Sequence, residues 1–454
     1  MTSVSQTSRV PAPHLGTACQ AMGALIRDGH ILAALEALHR SLGDVFALPL
    51  PGFRSVMLVG PEANKFLLTE ARERFLWRSE DDPVTRLLQQ GLLVVDGPFH
   101  DELREAMSPA LHHSLFEGFT QIMWQSADCV ADSWQNGAQI EMFAASRRIA
   151  LLIVMEALFG ADIGPNLDAL WRPMLRTLRY ISPGPWLLWP GMPRPGYRHA
   201  VRQIDAYIGR LITHRRAHSS SSSKNDLLGR LLGSGMRDDL IRDQVLTFLI
   251  AGHDTSTALL AWSLYLLATH QDDLARVQAE IDAVVGAYPP AESHLRRLPA
   301  LDGVIKEALR LYPPIHLGSR VAACDIAFRG FHIPAGTRVL YSIYLTHRDE
   351  RYWPSPHVFD PERFAPERAR ERAAYTYLPF GGGPRNCIGA AFAQLEAKIV
   401  LARLLQRFDL RFVGGTVRPH MRATLEPSPG VLIDVRRRQP LGVPDAVAPT
   451  NSTH

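Results

Sequence analysis

The sequence predicts a mainly α-helical chain with small β-sheets, built as one domain. Three observations carry this. Apolar residues recur at helical spacing through most of the 454 residues. Strand-like runs broken by turn residues occupy only two stretches. A third segment, residues 240–268, is apolar nearly all round yet polar in its middle, which describes a helix buried through the centre of a large domain.

Taken in order, residues 43–59 hold β-rich runs split by Pro51-Gly52 and predict a small strand pair. Helical periodicity follows over 121–134, 146–159 and 197–216. The serines at 219–223, with Lys224 and Asn225, predict a flexible surface loop inside the one domain. Residues 240–268 are long enough to cross a bilayer. Their centre, Gly252-His253-Asp254-Thr255-Ser256-Thr257, is too costly to face lipid, so a central core helix is expected. Residues 325–344 repeat the strand style around a Pro-Ala-Gly turn at 334–336, and 394–408 is again helical. The domain spans 1–454, with 1–13 and 440–454 expected as flexible tails.

Composition excludes several classes. With 46% hydrophobic and 21% charged residues the chain is neither disordered nor membrane-dominated. A net charge of +4 without a basic block argues against a nucleic-acid partner. The cysteines at 19, 129, 324 and 387 lack the spacing of a disulfide framework or a zinc site. The first residues lack a signal peptide and an apolar anchor, so a cytoplasmic protein without a membrane anchor is expected.

The most specific segment is Phe380-Gly381-Gly382-Gly383-Pro384-Arg385-Asn386-Cys387-Ile388-Gly389. Its glycines allow a tight backbone turn, and a helix starting at 390 places the sulfur near a helix N-terminus, which favours thiolate. The segment matches F-x-x-G-x-R-x-C-x-G at every fixed position, and on it the chain resembles the cytochrome P450 superfamily in its soluble, bacterial-type form. The resemblance covers most of the chain from about residue 43. It implies the P450 fold, with haem b (iron protoporphyrin IX) held between the central helix and the cysteine loop. Cys387 is then the axial iron ligand and Arg385 a partner of a haem propionate. A thiolate opposite bound dioxygen donates electron density that promotes O–O cleavage.

Other motifs extend the resemblance. Glu307 and Arg310 lie three apart on one helix face and match E-x-x-R, while Pro361-Glu362-Arg363-Phe364 matches the segment whose arginine joins that pair in a buried structural network. His100 and Arg104, four apart, and Arg320 match propionate-binding positions. Ala251-Gly252-His253-Asp254-Thr255 matches the oxygen-binding groove. There Gly252 would allow close approach to the haem, and a Thr255 hydroxyl reaching the Ala251 carbonyl would open the helix. Thr255 and Asp254 would deliver protons to the bound oxygen. His253 is expected as a packed core histidine. The pocket walls should include residues near 87–95, Phe248 with Ala251, and 315–318, where His316 could meet a polar end of the substrate. Phe380 would flank the haem.

The activity implied is insertion of one oxygen atom from O2 into a small hydrophobic, lipid-like substrate, by hydroxylation or epoxidation. Once a haem domain is placed, too little chain is left for a fused flavin reductase. Electrons should therefore come from a separate ferredoxin or flavodoxin and its NAD(P)H-dependent reductase. A basic patch of Arg368, Arg370 and Arg372, with Lys398 and Arg403, would steer an acidic donor. A peroxide-driven peroxygenase, a haem-thiolate isomerase and a haem-based gas sensor are the competing readings.

Overall fold

The computed structural model describes residues 8–50, 53–80, 82–164, 167–182, 192–218 and 226–439. The serine-rich loop and the C-terminal tail expected at 440–454 lie outside the described residues. Most of the rest is helical, as the periodicity predicts. At its centre runs Asp238–Thr269, a helix of 32 residues buried on most faces. It packs against Met142–Ile153, Pro299–Leu311 and Ala390–Arg407. No helix among the described residues is long and apolar enough to cross a membrane. Trp262, fully buried on the central helix, stacks on Tyr312 at 3.7 Å and donates its indole N–H to the Leu425 carbonyl at 2.8 Å. A large ring with one satisfied polar tip anchors that helix to the start of a strand far along the chain, Leu425–Ser428.

The helices predicted at 121–134, 146–159, 197–216 and 394–408 form as Phe116–Ala131, Met142–Ile153, Tyr197–Ala217 and Ala390–Arg407. The second ends in a π-helical turn, Val154–Leu158. The two strand regions meet in one five-stranded sheet, ordered Val45–Leu50, Phe53–Leu58, Arg338–Ser342, Leu317–Ala322 and Phe75–Leu76. Only the pairing of Phe53–Leu58 with Arg338–Ser342 is parallel.

Two differences from expectation stand out. Residues 8–13 are not a free tail: Ser8 bridges Phe331, and the Ala47 amide bonds the Pro11 carbonyl at 2.8 Å. A second sheet, Ala138–Glu141, Leu432–Arg437 and Phe408–Phe412, and the hairpin Arg418–Met421 with Leu425–Ser428, were not foreseen. Their strands are four to six residues long, too little local pattern to read, and Ala138–Glu141 finds its partner Leu432–Arg437 only at the far end of the described chain.

Candidate functional site

The cysteine segment folds into a tight loop because its glycines permit it. Gly383 sits at φ +67°, and a Cβ there would run into the Leu68 carbonyl oxygen, so only glycine fits both the dihedral and the approach. The Cys387 amide closes the loop on the Phe380 carbonyl at 2.8 Å. The helix Ala390–Arg407 starts three residues beyond the sulfur. Cys387 lies deep in the protein but shows its side chain to an internal cavity of about 1160 Å³. Burial pushes its thiol up; the Gly389 amide and the Arg104 charge pull it down.

The middle of the central helix lines the same cavity with Ala251, Gly252, Asp254 and Thr255. The Thr255 hydroxyl donates to the Ala251 carbonyl at 2.7 Å, as its spacing predicts. Gly252 also serves helix packing. A Cβ there would meet Val154 at 3.1 Å, so the missing side chain serves close packing of two helices, while its backbone borders the cavity. His253 is fully buried and edge-on to Trp171, and burial holds it neutral, pushed down to about 3. It is the packed core histidine anticipated.

At one end of the cavity three arginines, Arg104, Arg320 and Arg385, converge with His100, which burial pushes down. Arg385 donates to Asp96 at 2.9 Å and to the Val95 carbonyl. Arg104 bonds the carbonyl and side chain of Asn386 at 2.8 Å each, and His100 meets Asp101 at 2.7 Å. Burial lowers Arg104 and Arg320 from their ordinary values and brings Arg385 to about 10. Cations depressed this way lack enough negative charge, so the cluster suits a ligand with two carboxylates. Trp77 supports it, with Arg320 at 3.5 Å and Arg385 at 4.4 Å over its ring. No spacing in the sequence points to Trp77.

The predicted walls assemble: Leu88, Leu92, Phe248, Ile315 and His316 all line the cavity. Sequence reasoning missed the partners of Asp254. Arg147 reaches it at 3.3 Å, Thr424 donates to it at 3.0 Å, and Arg147 also meets Glu426 at 3.3 Å. Burial raises Asp254, and brings Glu426 to about 7, with the Asp254 charge adding to the rise. Nearby, Ser256 donates to Glu396 at 2.7 Å, and burial lifts that carboxyl to about 8.

Behind the cysteine loop, Glu307 and Arg310 form a bidentate pair at 2.7 Å with fully buried side chains, and Arg363 stands 3.4 Å from Glu307. His347, unforeseen, joins this network to the loop. It contacts the Arg310 carbonyl at 3.3 Å and accepts the Leu378 amide at 2.9 Å. Of the basic patch expected nearby, Arg370 stays exposed and the other four side chains are engaged. Arg368 pairs with Asp360 at 3.1 Å, Lys398 with Asp302 at 2.6 Å and Arg403 with Asp128 at 2.9 Å. Arg372 is packed over Phe364 at 4.5 Å and bonds the Arg363 carbonyl. Tertiary packing neutralised charges that looked free in sequence.

Residues 9–433 match the family model described as Cytochrome P450. The chain is 31% identical over 449 residues to cyclooctatin synthase of Streptomyces melanosporofaciens, covering 93% of this chain and 97% of that protein. It is 32% identical over 391 residues to cyclooctat-9-en-7-ol 5-monooxygenase of the same organism, covering 82% and 84%. The solved structure of retinoic acid-bound cyanobacterial CYP120A1 aligns with a TM-score of 0.83 at 26% identity, over 95% of this chain and all of that one.

Proposed function

The chain belongs to the cytochrome P450 family of haem-b-binding monooxygenases, and from that footing we propose how its own residues divide the work. Cys387 would ligate the iron through its thiolate, and haem held there would supply the activation of dioxygen. His100, Arg104, Arg320 and Arg385 would hold its carboxylates, with Phe380, Ala251 and Gly252 lining the space beside it. The fit is supported by the under-compensated cations and by a sulfur facing a cavity in a loop that only glycines can build.

Thr255 presents its hydroxyl in the groove it opens, and Asp254 passes protons toward it through water. The observation that carries this reading is Cys387 and the Asp254-Thr255 pair lining one cavity. Reduced protein with carbon monoxide should show the red-shifted Soret band of thiolate ligation. Cys387→His should abolish it, and a band retained in Cys387→Ser would remove the ligand assignment. Thr255→Ala should keep haem and substrate while NADPH consumption yields peroxide instead of product; unchanged coupling would remove Thr255 from proton delivery.

The substrate is a hydrophobic, lipid-like molecule, for which the mostly apolar cavity wall and the alcohol and retinoid in the names of similar proteins speak. Electrons come from a separate ferredoxin or flavodoxin with its NAD(P)H-dependent reductase, in the cytoplasm, to a single haem domain spanning the chain. The retained acid-alcohol pair favours oxygen activation over a peroxygenase, isomerase or gas sensor. NADPH-driven turnover with reconstituted redox proteins tests this.

A further inference from the structure

We infer that His316 is the polar recognition point of the substrate cavity and that it selects an apolar substrate carrying a hydroxyl or N–H donor over one carrying a carboxylate. This rests on the monooxygenase reading and names the substrate class within it.

His316 follows the Pro313-Pro314 stop of the helix Pro299–Leu311 and immediately precedes the strand Leu317–Ala322. It is 4% exposed and lines the cavity. Its carbonyl is pinned by the Tyr344 amide at 3.1 Å. The ring is oriented by one contact, Nδ1 to the Pro314 carbonyl at 3.4 Å. A carbonyl can only accept, so Nδ1 carries the proton and Nε2 is left with its lone pair. Nε2 has no hydrogen-bond partner among the described residues, yet it is not among the sealed, unpartnered polar atoms. It is therefore open toward the cavity. Burial pushes the ring down to about 4, so it remains neutral near pH 7 and keeps that acceptor.

The remaining wall makes this acceptor informative. Ile315 and Leu317 on either side of it in the chain, and Leu340 elsewhere on the wall, are apolar. Thr247 and Ser182 donate their hydroxyl protons to the Asp243 and Leu178 carbonyls, each at 2.7 Å. The arginines on this wall are already engaged: Arg78 and Arg338 share Asp82 at 3.0 and 3.5 Å, and Arg422 stands 3.7 Å from Glu426. A carboxylate at His316 would face a lone pair and lose its water; a hydroxyl would gain a hydrogen bond.

The test titrates haem-loaded protein with matched probes, following the spin-state shift of the Soret band. The trios are farnesol, farnesyl methyl ether and farnesoic acid, and dodecan-1-ol, its methyl ether and dodecanoic acid. In wild type the alcohol should bind about five- to tenfold more tightly than its ether, with the acid weakest. His316→Phe should bring the alcohol-to-ether ratio to about one while leaving ether affinity in place, and His316→Gln, which keeps an acceptor, should restore part of it. Equal binding of alcohol and ether by wild type, preference for the acid, a ratio that survives His316→Phe, or no shift from any probe overturns the inference. The wild-type comparison needs no variant to fold. The carbon monoxide band of the same sample reports separately on the monooxygenase reading.

Discussion

Two buried ionic clusters in this protein use the same residue types to opposite ends. In the Glu307–Arg310 pair both side chains are fully buried, and the guanidinium spends all five N–H groups: on both Glu307 oxygens and on the carbonyls of His347, Pro356 and Val358. Nothing is left over. In the Asp254 cluster a single Arg147 nitrogen stands 3.3 Å from two carboxylates, and the Arg147 Nε has no partner. Arg147, so loosely held, and Arg422, half-exposed and 3.7 Å from Glu426, do not offset the burial of the two acids, and both are raised toward their protonated forms. A saturated network fixes geometry, here the backbone behind the cysteine loop; an unsaturated one leaves acids whose affinity for protons is raised.

Glu307→Gln should produce the largest effect. It preserves shape but strands Arg310 in the interior, at a cost of about 3–5 kcal/mol. Chemical denaturation measures it, and near-wild-type stability would break the contrast between the clusters. The same variant should hold less haem, because His347 ties Arg310 to Leu378 at the start of the loop.

Arg147→Met should cost less, about 1–3 kcal/mol, because Asp254 and Glu426 can bind protons when the cation is gone. The loss should be greater at pH 8 than at pH 6, since the acids are driven to ionise at the higher pH. Equal losses at the two values would show that the acids do not titrate there.

Glu426→Gln isolates one such acid. Its folded value of about 7 exceeds the ordinary 4.5. Between those values the folded state binds more protons than the unfolded one, so stability from this group is complete below about 4.5 and falls as pH rises toward 7. The ceiling on that slope is about 1.4 kcal/mol per pH unit. The variant should flatten the decline across that window; a curve parallel to wild type would refute the elevated value.

The smallest effect belongs to a charge outside both clusters. Arg370→Glu should change stability by no more than about 0.5 kcal/mol. Arg372→Glu should be clearly worse, because that guanidinium lies over Phe364 and Trp353. If the two reversals behave alike in a thermal melt, Arg372 is not packed as described.

What the sequence determined by itself is what short spacing can carry. The glycine-rich cysteine loop, the i, i+3 pair of Glu307 and Arg310, the Thr255 hydroxyl four residues past Ala251 and the apolar helix around a polar middle are local, and all appear where the spacing put them. Tertiary structure alone decided the partners. Arg147 reaches Asp254 across 107 residues and Glu426 across 279. His347 reaches back 37 residues to Arg310, and Lys398 and Arg403 found acids on other helices. Which buried charge ends saturated and which is left short depends on what distant elements bring within hydrogen-bond reach, and periodicity within one element holds no record of that.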